Sequence, residues 1–368
     1  MNTVARLHPS LIVSGPRTSA ERWSRFVRPD QLYRQARVSG IKKETDDAVS
    51  VTLTPMDDQP CIATAGQYLT LITELDNERI KRAYSLSQLP SEHGFTITSK
   101  RIGNGRMSGH LNDALKIGDV LQFAGPSGDF VLPQTAPQHY VFAAAGSGIT
   151  PIMAMLDQLL SIEHSSTQIT LLYGNRQEKD ILFKPRLDAI ANAHKNIVVR
   201  YFLTQPPKNW KGDKGRIGIE HFPAAENACF FLCGPASFNQ NLVTALRAQG
   251  VASDAVRIEH FSQITQASRP HPEHPHPVVF QLPNGESREV TVRPSETLLE
   301  AGLRTGIPLQ FSCTMGGCGH CRVTVSEGDV AVDEPNCLTE SERLAGQALA
   351  CCARPHSRAS VTLPELAS

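Results

Sequence analysis

The sequence predicts an α/β plus β protein: a small antiparallel β-barrel, then a doubly wound parallel α/β domain, then a small cysteine-bearing domain. Three observations predict it. Short period-two segments punctuated by glycine fill residues 35–133, strand and helix patterns alternate through 134–261, and six of the nine cysteines fall from Cys313 to Cys352. At 368 residues the chain exceeds what one hydrophobic core holds. Composition sets the boundaries: an N-terminal extension 1–34, the barrel 35–133, the α/β domain 134–261, a linker 262–277 and a C-terminal domain 278–368.

In the extension the pattern predicts one short helix near Ser19 to Val27. The barrel strands read from Val49 to Thr54, Tyr68 to Ile72 and Phe95 to Thr98, with turns at Gly66, Gly94, Gly118 and Gly128. Tyr140 to Ala145 reads as a buried strand running into Gly146-Ser-Gly148 and an apolar helix from Pro151 to Leu160. Strands follow at Ile169 to Tyr173, Ile197 to Leu203 and Cys229 to Cys233, with helices around Phe183 to Ala191 and up to Ala248. Such alternation builds a parallel sheet. The linker is rich in proline and histidine, without apolar periodicity, and predicts a semi-extended tether on which the last domain swings. A hairpin across Pro283 to Gly285, a helix about Glu296 to Thr305, a cysteine loop and a strand Arg322 to Val325 complete the chain.

Composition excludes several classes. The chain is 40% hydrophobic and 20% charged with zero formal net charge, so nothing global calls for nucleic acid or membrane. No apolar run is long enough for a transmembrane segment, and Leu11 to Val13 is too short for the core of a secretion signal, which predicts a cytoplasmic protein. There, clustered cysteines read as a metal site rather than disulfides. Charge is uneven. Residues 1–34 carry six arginines against Glu21 and Asp30, and residues 278–368 carry seven arginines, no lysine and eleven acids. Plain solvation explains this as well as an acidic domain steering toward a basic partner does.

The most specific motif is Cys313, Cys318 and Cys321, followed after 29 residues by Cys351. C-x4-C-x2-C with a distant fourth cysteine is the plant-type spacing for a [2Fe–2S] cluster. Four thiolates must converge on two irons; three come from one tight loop whose glycines Gly316, Gly317 and Gly319 let the backbone wrap closely. A structural zinc site is the rival, but the paired C-x2-C units it favours are missing. The gap selects Cys351 over Cys352, which on a strand would face the other way. Cys337 has no partner pattern.

Three weaker motifs precede it. Arg82 and Tyr84 share one face of a predicted barrel strand that continues to Ser85, a cation for phosphate and an aromatic for a planar ring, although an exposed strand face reads alike. Gly105 and Ser108 open a helix, as an anion site or as an empty cap. Gly146, Gly148 and Thr150 sit between strand and helix, where a parallel sheet meets phosphates, and Gly234-Pro235 ends another strand at the same edge. Arg176 follows the second parallel strand with no carboxylate beside it, which favours NADPH over NADH.

In this order the motifs resemble the ferredoxin–NADP reductase superfamily, in particular reductases with a fused C-terminal plant-type ferredoxin domain that serve oxygenases and fatty-acyl desaturases. The resemblance covers about residues 35–366 and looks closest to the desaturase partners. It implies a β-grasp third domain and FAD, a [2Fe–2S] cluster and NADPH or NADH as cofactors. Arg82, Tyr84 and Ser85 would hold flavin phosphate, stack on the ring and approach N5; Thr98, Lys100 and Ser108 would contact the diphosphate. Gly146, Gly148, Thr150 and Arg176 would line the dinucleotide site. Cys233 would adjoin the reactive nicotinamide carbon, and Glu259 and Phe261 would border the flavin. Hydride would pass to flavin, and single electrons through the cluster to a protein acceptor such as an oxygenase, hydroxylase or desaturase. A stand-alone flavin or metal reductase and a zinc-stabilised adaptor are the alternatives.

Overall fold

The computed structural model describes residues 33–365, apart from 77, 92–93, 163–166, 225–226, 262–268, 295 and 334–335. The helix expected at 19–27 and the first part of the linker lie outside the described residues.

Six strands form the first sheet: β1 (Arg34–Thr45), β2 (Ala48–Pro55), β3 (Tyr68–Leu75), β4 (Glu78–Ser85), β5 (Phe95–Lys100) and β6 (Val120–Ser127). They run in the order β4-β3-β6-β1-β2-β5, every pairing antiparallel, and a bridge from Leu86 to Ile97 draws the two edges together. Alternation explains the barrel: Val51, Leu53, Leu69, Leu71, Ile97 and Phe123 all turn inward to one core. A short helix α1 (Arg106–Gly109), continued by a π-helical turn His110–Ala114, adds Met107 and Leu111 to that core.

The second domain runs β7 (His139–Ala145), α2 (Ile149–Leu160), β8 (Gln168–Asn175), α3 (Lys184–Ala193), β9 (Ile197–Leu203), β10 (Asp213–Lys214), β11 (Ala228–Gly234), α4 (Ala236–Ala248) and β12 (Val256–His260). The sheet is parallel throughout, ordered β10-β9-β8-β7-β11-β12. The chain winds outward from β7 to β10 and then returns to β11. Its topological switch therefore lies at the carboxyl ends of β7 and β11, where parallel sheets bind ligands. The expected four strands are present. The edge strands β10 and β12 are additions, too short and polar to show a pattern.

The third domain comprises β13 (His276–Gln281), β14 (Ser287–Val292), α5 (Leu298–Arg304), β15 (Arg322–Glu327), β16 (Val330–Val332), α6 (Glu340–Leu344), β17 (Gln347–Leu349), β18 (Ala353–Pro355) and β19 (Ala359–Thr362). The main sheet is ordered β14-β13-β19-β15-β17, with β13 and β19 parallel, and β16 and β18 pair separately. With α5 packed on this sheet the expected β-grasp is present. Thr297 caps α5, its hydroxyl accepting from the Glu300 amide while the Glu300 carboxylate accepts from the Thr297 amide.

Two expectations need correction. The end of the linker is structured: Arg269 pairs with Asp329 at 2.7 Å, and β13 starts at His276, inside the expected tether. Cys351 and Cys352 lie in a turn between β17 and β18, not on a strand, so alternation does not separate them. A Cβ added to Gly316 would lie 3.0 Å from the Cys352 sulfur, so that thiol faces the cysteine loop.

The third domain is seated on the barrel. Glu300 accepts from the Tyr33 hydroxyl at 2.8 Å and from Lys81 and Arg79 at 3.0 Å each, and Lys81 also donates to the Tyr33 oxygen at 2.7 Å. Burial alone would raise the Glu300 carboxyl, but Lys81, the Thr297 amide, Tyr33 and Arg79 outweigh it and hold the group at about 2. Its folded value is below the unfolded one of 4.5, so its stabilisation is complete above about pH 4.5 and is lost as pH falls toward 2. Glu300→Gln leaves Lys81 buried without its main counter-charge. Thermal melts at neutral pH should show a loss of about 3 kcal/mol, and the acid limb of stability below pH 4.5 should flatten relative to wild type.

Candidate functional site

One cavity of about 1270 Å³ is lined by residues of all three domains. The barrel supplies its first wall through β4, the end of β5 and the loop that opens α1. Arg82, Tyr84 and Ser85 all reach the cavity, with Lys100 and Arg106 nearby. Desolvation lowers the Arg82 guanidinium; Tyr84 opposes this and Arg106 adds to it. Lys100 and Arg106 already face carboxylates, Asp47 at 3.5 Å and Asp76 and Glu78 respectively, so the partly desolvated Arg82 is the cation of this wall best suited to a diphosphate. Burial pushes the Tyr84 phenol up to about 12, so at neutral pH it is a neutral, rigid aromatic.

Thr98 and Ser108 line the same wall but spend their hydroxyls on the protein. Thr98 bonds to Ser50 and donates to Ser87, both at 2.7 Å. Ser108 accepts from the Ile102 amide and donates to the Gly105 carbonyl, each at 3.1 Å. Both therefore shape the loop and strand that face the cavity.

The second wall is the switch point of the parallel sheet. Gly146 and Thr150 reach the cavity; Gly148 and Cys233 do not. A Cβ on Gly148 would lie 2.0 Å from the Cys233 carbonyl oxygen, so this glycine permits close packing of α2's entry against β11. The Cys233 side chain is fully buried and belongs to the core between the sheet and α2, which places it behind the wall rather than on it. Burial and then Glu259 push its thiol well up. Glu259, within β12, and Phe261, just after it, do line the cavity. At the far end stands Arg176, joined by Arg216, which carried no sequence signal because it lies in an irregular stretch after β10. Tyr173 was likewise missed: buried under the loop, its hydroxyl donates to the Gly146 carbonyl at 3.0 Å and accepts from the Leu182 amide at 3.2 Å.

The third wall is the cysteine loop. Cys313 and Cys318 line the cavity, whereas Cys321 and Cys351 lie deeper in the third domain's core. Backbone amides aim at the sulfurs: Gly316 to Cys351 at 3.1 Å, Gly317 to Cys313 at 3.2 Å, Cys313 to Cys318 at 3.4 Å and Met315 to Cys313 at 3.5 Å. Left-handed backbone at Gly316 (φ 77°) and Gly319 (φ 76°) permits this wrapping. The Cys318 and Cys351 thiols beside Cys313 push its thiol well down, and the Cys313 contact pushes each of theirs up. Crowded sulfurs surrounded by amide donors fit an anionic cluster. A [2Fe–2S] cluster asks for two thiolates on each iron. Tyr68 stands between this loop and the barrel wall. It packs with Cys313 and Met315, and burial, with Cys313, Cys318 and Glu259 around it, pushes its phenol well up.

Comparison with known proteins agrees with this geometry. Residues 38–132 match the family model described as an oxidoreductase FAD-binding domain, 142–243 an oxidoreductase NAD-binding domain, and 282–356 a 2Fe-2S iron-sulfur cluster binding domain. The chain is 30% identical over 338 residues to a component of the 1,2-phenylacetyl-CoA epoxidase of Escherichia coli, covering 86% of this chain and 94% of the relative. It is also 30% identical over 344 residues to the ferredoxin reductase component of 3-ketosteroid-9-alpha-monooxygenase of Mycobacterium tuberculosis, covering 88% and 93%. In fold it is similar to phthalate dioxygenase reductase, with TM-score 0.61 and 21% identity over 92% of this chain and 100% of that one. Among the described residues no helix is long and apolar enough to cross a membrane. The three matched domains, in this order and around one shared cavity, establish that the chain belongs to the family of NAD(P)H-dependent, FAD-containing oxidoreductases with a fused [2Fe–2S] domain, the reductase components of oxygenase systems.

Proposed function

We propose that this chain carries electrons from NADPH to the catalytic iron of a separate, cytoplasmic oxygenase. One observation carries the reading: the cysteine loop, the barrel strand and the switch point of the parallel sheet share a single cavity. FAD held there would supply the conversion of a hydride from the nicotinamide into single electrons, and a [2Fe–2S] cluster would supply a one-electron acceptor.

The protein's part is placement and electrostatics. In this reading Arg82, Lys100 and Arg106 neutralise the FAD diphosphate, and Tyr84 stacks on the ring. Ser85, at the end of β4, donates to the ring edge. Thr98 and Ser108 hold the strand and loop in shape. Gly146 and Thr150 present the opening of α2 to the dinucleotide phosphates, with Tyr173 pinning the Gly146 carbonyl from beneath. Glu259 and Phe261 close the site over the flavin and exclude water. Cys313, Cys318, Cys321 and Cys351 hold the cluster. Cys351 is taken as the fourth ligand on its spacing and on the Gly316 amide that its sulfur accepts, with the Cys352 thiol close beside it.

Preference for NADPH rests on Arg176 and Arg216, both exposed and both on the cavity wall. Two guanidinium groups suit a 2′-phosphate, and the carboxylate that follows β8 on this wall, Asp180, accepts from the Gln177 amide at 3.1 Å. Arg176→Ala with Arg216→Ala should raise KM for NADPH by about 10- to 100-fold, the worth of charge-assisted hydrogen bonds, and leave KM for NADH nearly unchanged. Equal losses with both donors would remove the assignment.

The cofactor reading is tested on anaerobically purified protein by flavin extraction, iron and acid-labile sulfide, followed by rapid mixing with NADPH. Flavin absorbance should bleach first and cluster absorbance after it. Cys351→Ser should lose the cluster and keep the flavin, whereas Cys352→Ser should keep both. Faster reduction of free flavin than of any oxygenase partner would favour a stand-alone flavin reductase instead.

A further inference from the structure

We propose that Thr70 and Ser127, two hydroxyl residues on the outside of the barrel, are positioning residues that set the conformation of the cysteine loop and thereby the reduction potential of its cluster. This rests on the reading of Cys313, Cys318, Cys321 and Cys351 as the ligands.

The first observation concerns burial on the wrong face. Within β3, Leu69 and Leu71 turn into the barrel core, so Thr70 points outward, where a strand of an isolated barrel meets solvent. Yet Thr70 is 1% exposed, and Ser127 at the end of β6 is 3% exposed. The third domain covers both. Their hydroxyls do not merely fill space. Thr70 donates to the Cys313 carbonyl at 2.7 Å and Ser127 donates to the neighbouring Ser312 carbonyl at 3.1 Å. Among the described residues no backbone amide bonds either carbonyl.

The second observation concerns what this does to the loop. Within a peptide the carbonyl and the amide point in opposite directions. Holding the Ser312 carbonyl toward the barrel turns the Cys313 amide toward the Cys318 sulfur, which it reaches at 3.4 Å. Holding the Cys313 carbonyl fixes the plane leading into Thr314, a non-glycine residue in left-handed backbone at φ 56°. That turn sends the next amides, of Met315, Gly316 and Gly317, back to the Cys313 and Cys351 sulfurs. Amide donors to thiolates stabilise the extra negative charge of a reduced cluster. The barrel therefore supplies, across a domain boundary, part of the electrostatic environment that makes the cluster reducible. A third domain lifted off the barrel would carry a weaker electron acceptor than one seated on it.

The test uses full-length protein carrying flavin and cluster, with Thr70→Val, Thr70→Ser and Ser127→Ala. Iron and acid-labile sulfide per chain are measured first. Absence of sulfide from the wild-type protein would sink the ligand reading itself, before this proposal is tested. The cluster midpoint potential then comes from an anaerobic redox titration followed by the cluster's absorbance and electron paramagnetic resonance. Thr70→Val should keep its iron, sulfide and NADPH-driven flavin reduction, shift the cluster potential to more negative values, and slow cluster reduction by about tenfold, the scale of one lost buried hydrogen bond. Thr70→Ser restores the hydroxyl and should return both towards wild type, while Ser127→Ala should shift the potential in the same direction by less. A fully loaded Thr70→Val protein with wild-type potential overturns the proposal, as does Thr70→Ser shifting as far as Thr70→Val. If Thr70→Val does not accumulate, an unshifted Ser127→Ala protein overturns it alone.

Discussion

The seating of the cysteine loop against the outer face of barrel strands β3 and β6 is the constraint on which the rest of the molecule depends. Single-electron transfer needs the two redox sites close, and the chain carries them on domains separated by a whole α/β unit. Hydrogen bonds from Thr70 and Ser127 to the loop's carbonyls, with the Tyr33–Lys81–Glu300–Arg79 cluster at another point of the same contact, bring that loop to the cavity that the barrel and the parallel sheet already share. Tyr68 fills the space between them.

The cavity is electrically graded. Its barrel end gathers Arg82, Lys100 and Arg106, its far end Arg176 and Arg216, and its cysteine wall offers backbone amides rather than side-chain cations. Diphosphates and a ribose phosphate call for mobile, strongly charged donors at the ends. A cluster whose charge changes by one needs weaker, fixed dipoles that do not have to reorganise. Under the proposed function, each kind of donor stands where the group it would face calls for it.

Several site residues are legible in the sequence as members of a wall but not as to their task. The family resemblance assigns Thr98 and Ser108 to a diphosphate, and their hydroxyls are engaged by Ser50, Ser87, Ile102 and Gly105. Gly148 belongs to the expected dinucleotide loop, but what requires glycine there is the Cys233 carbonyl behind it. Strand alternation would put Cys352 on the far side, but the segment is a turn, and a turn has no alternation to separate neighbours. In each case a motif reports which residue types occur together, while hydrogen bonding and side-chain direction depend on backbone from elsewhere in the chain.

The sequence by itself determined what is local: the periodicities of barrel and parallel sheet, the capped helices, and the C-x4-C-x2-C spacing that names the cluster loop. Local order is enough there, because strand alternation, helix entry and a chelating loop are each set by neighbours a few residues apart. Only the tertiary structure decided what joins distant segments. Thr70 meets Cys313 across 243 positions and Ser127 meets Ser312 across 185, and Arg216, from an irregular loop, comes to line the same cavity as Arg176. No pattern marks such pairs, since a threonine on a strand's outer face looks the same whether it meets water or a carbonyl of another domain.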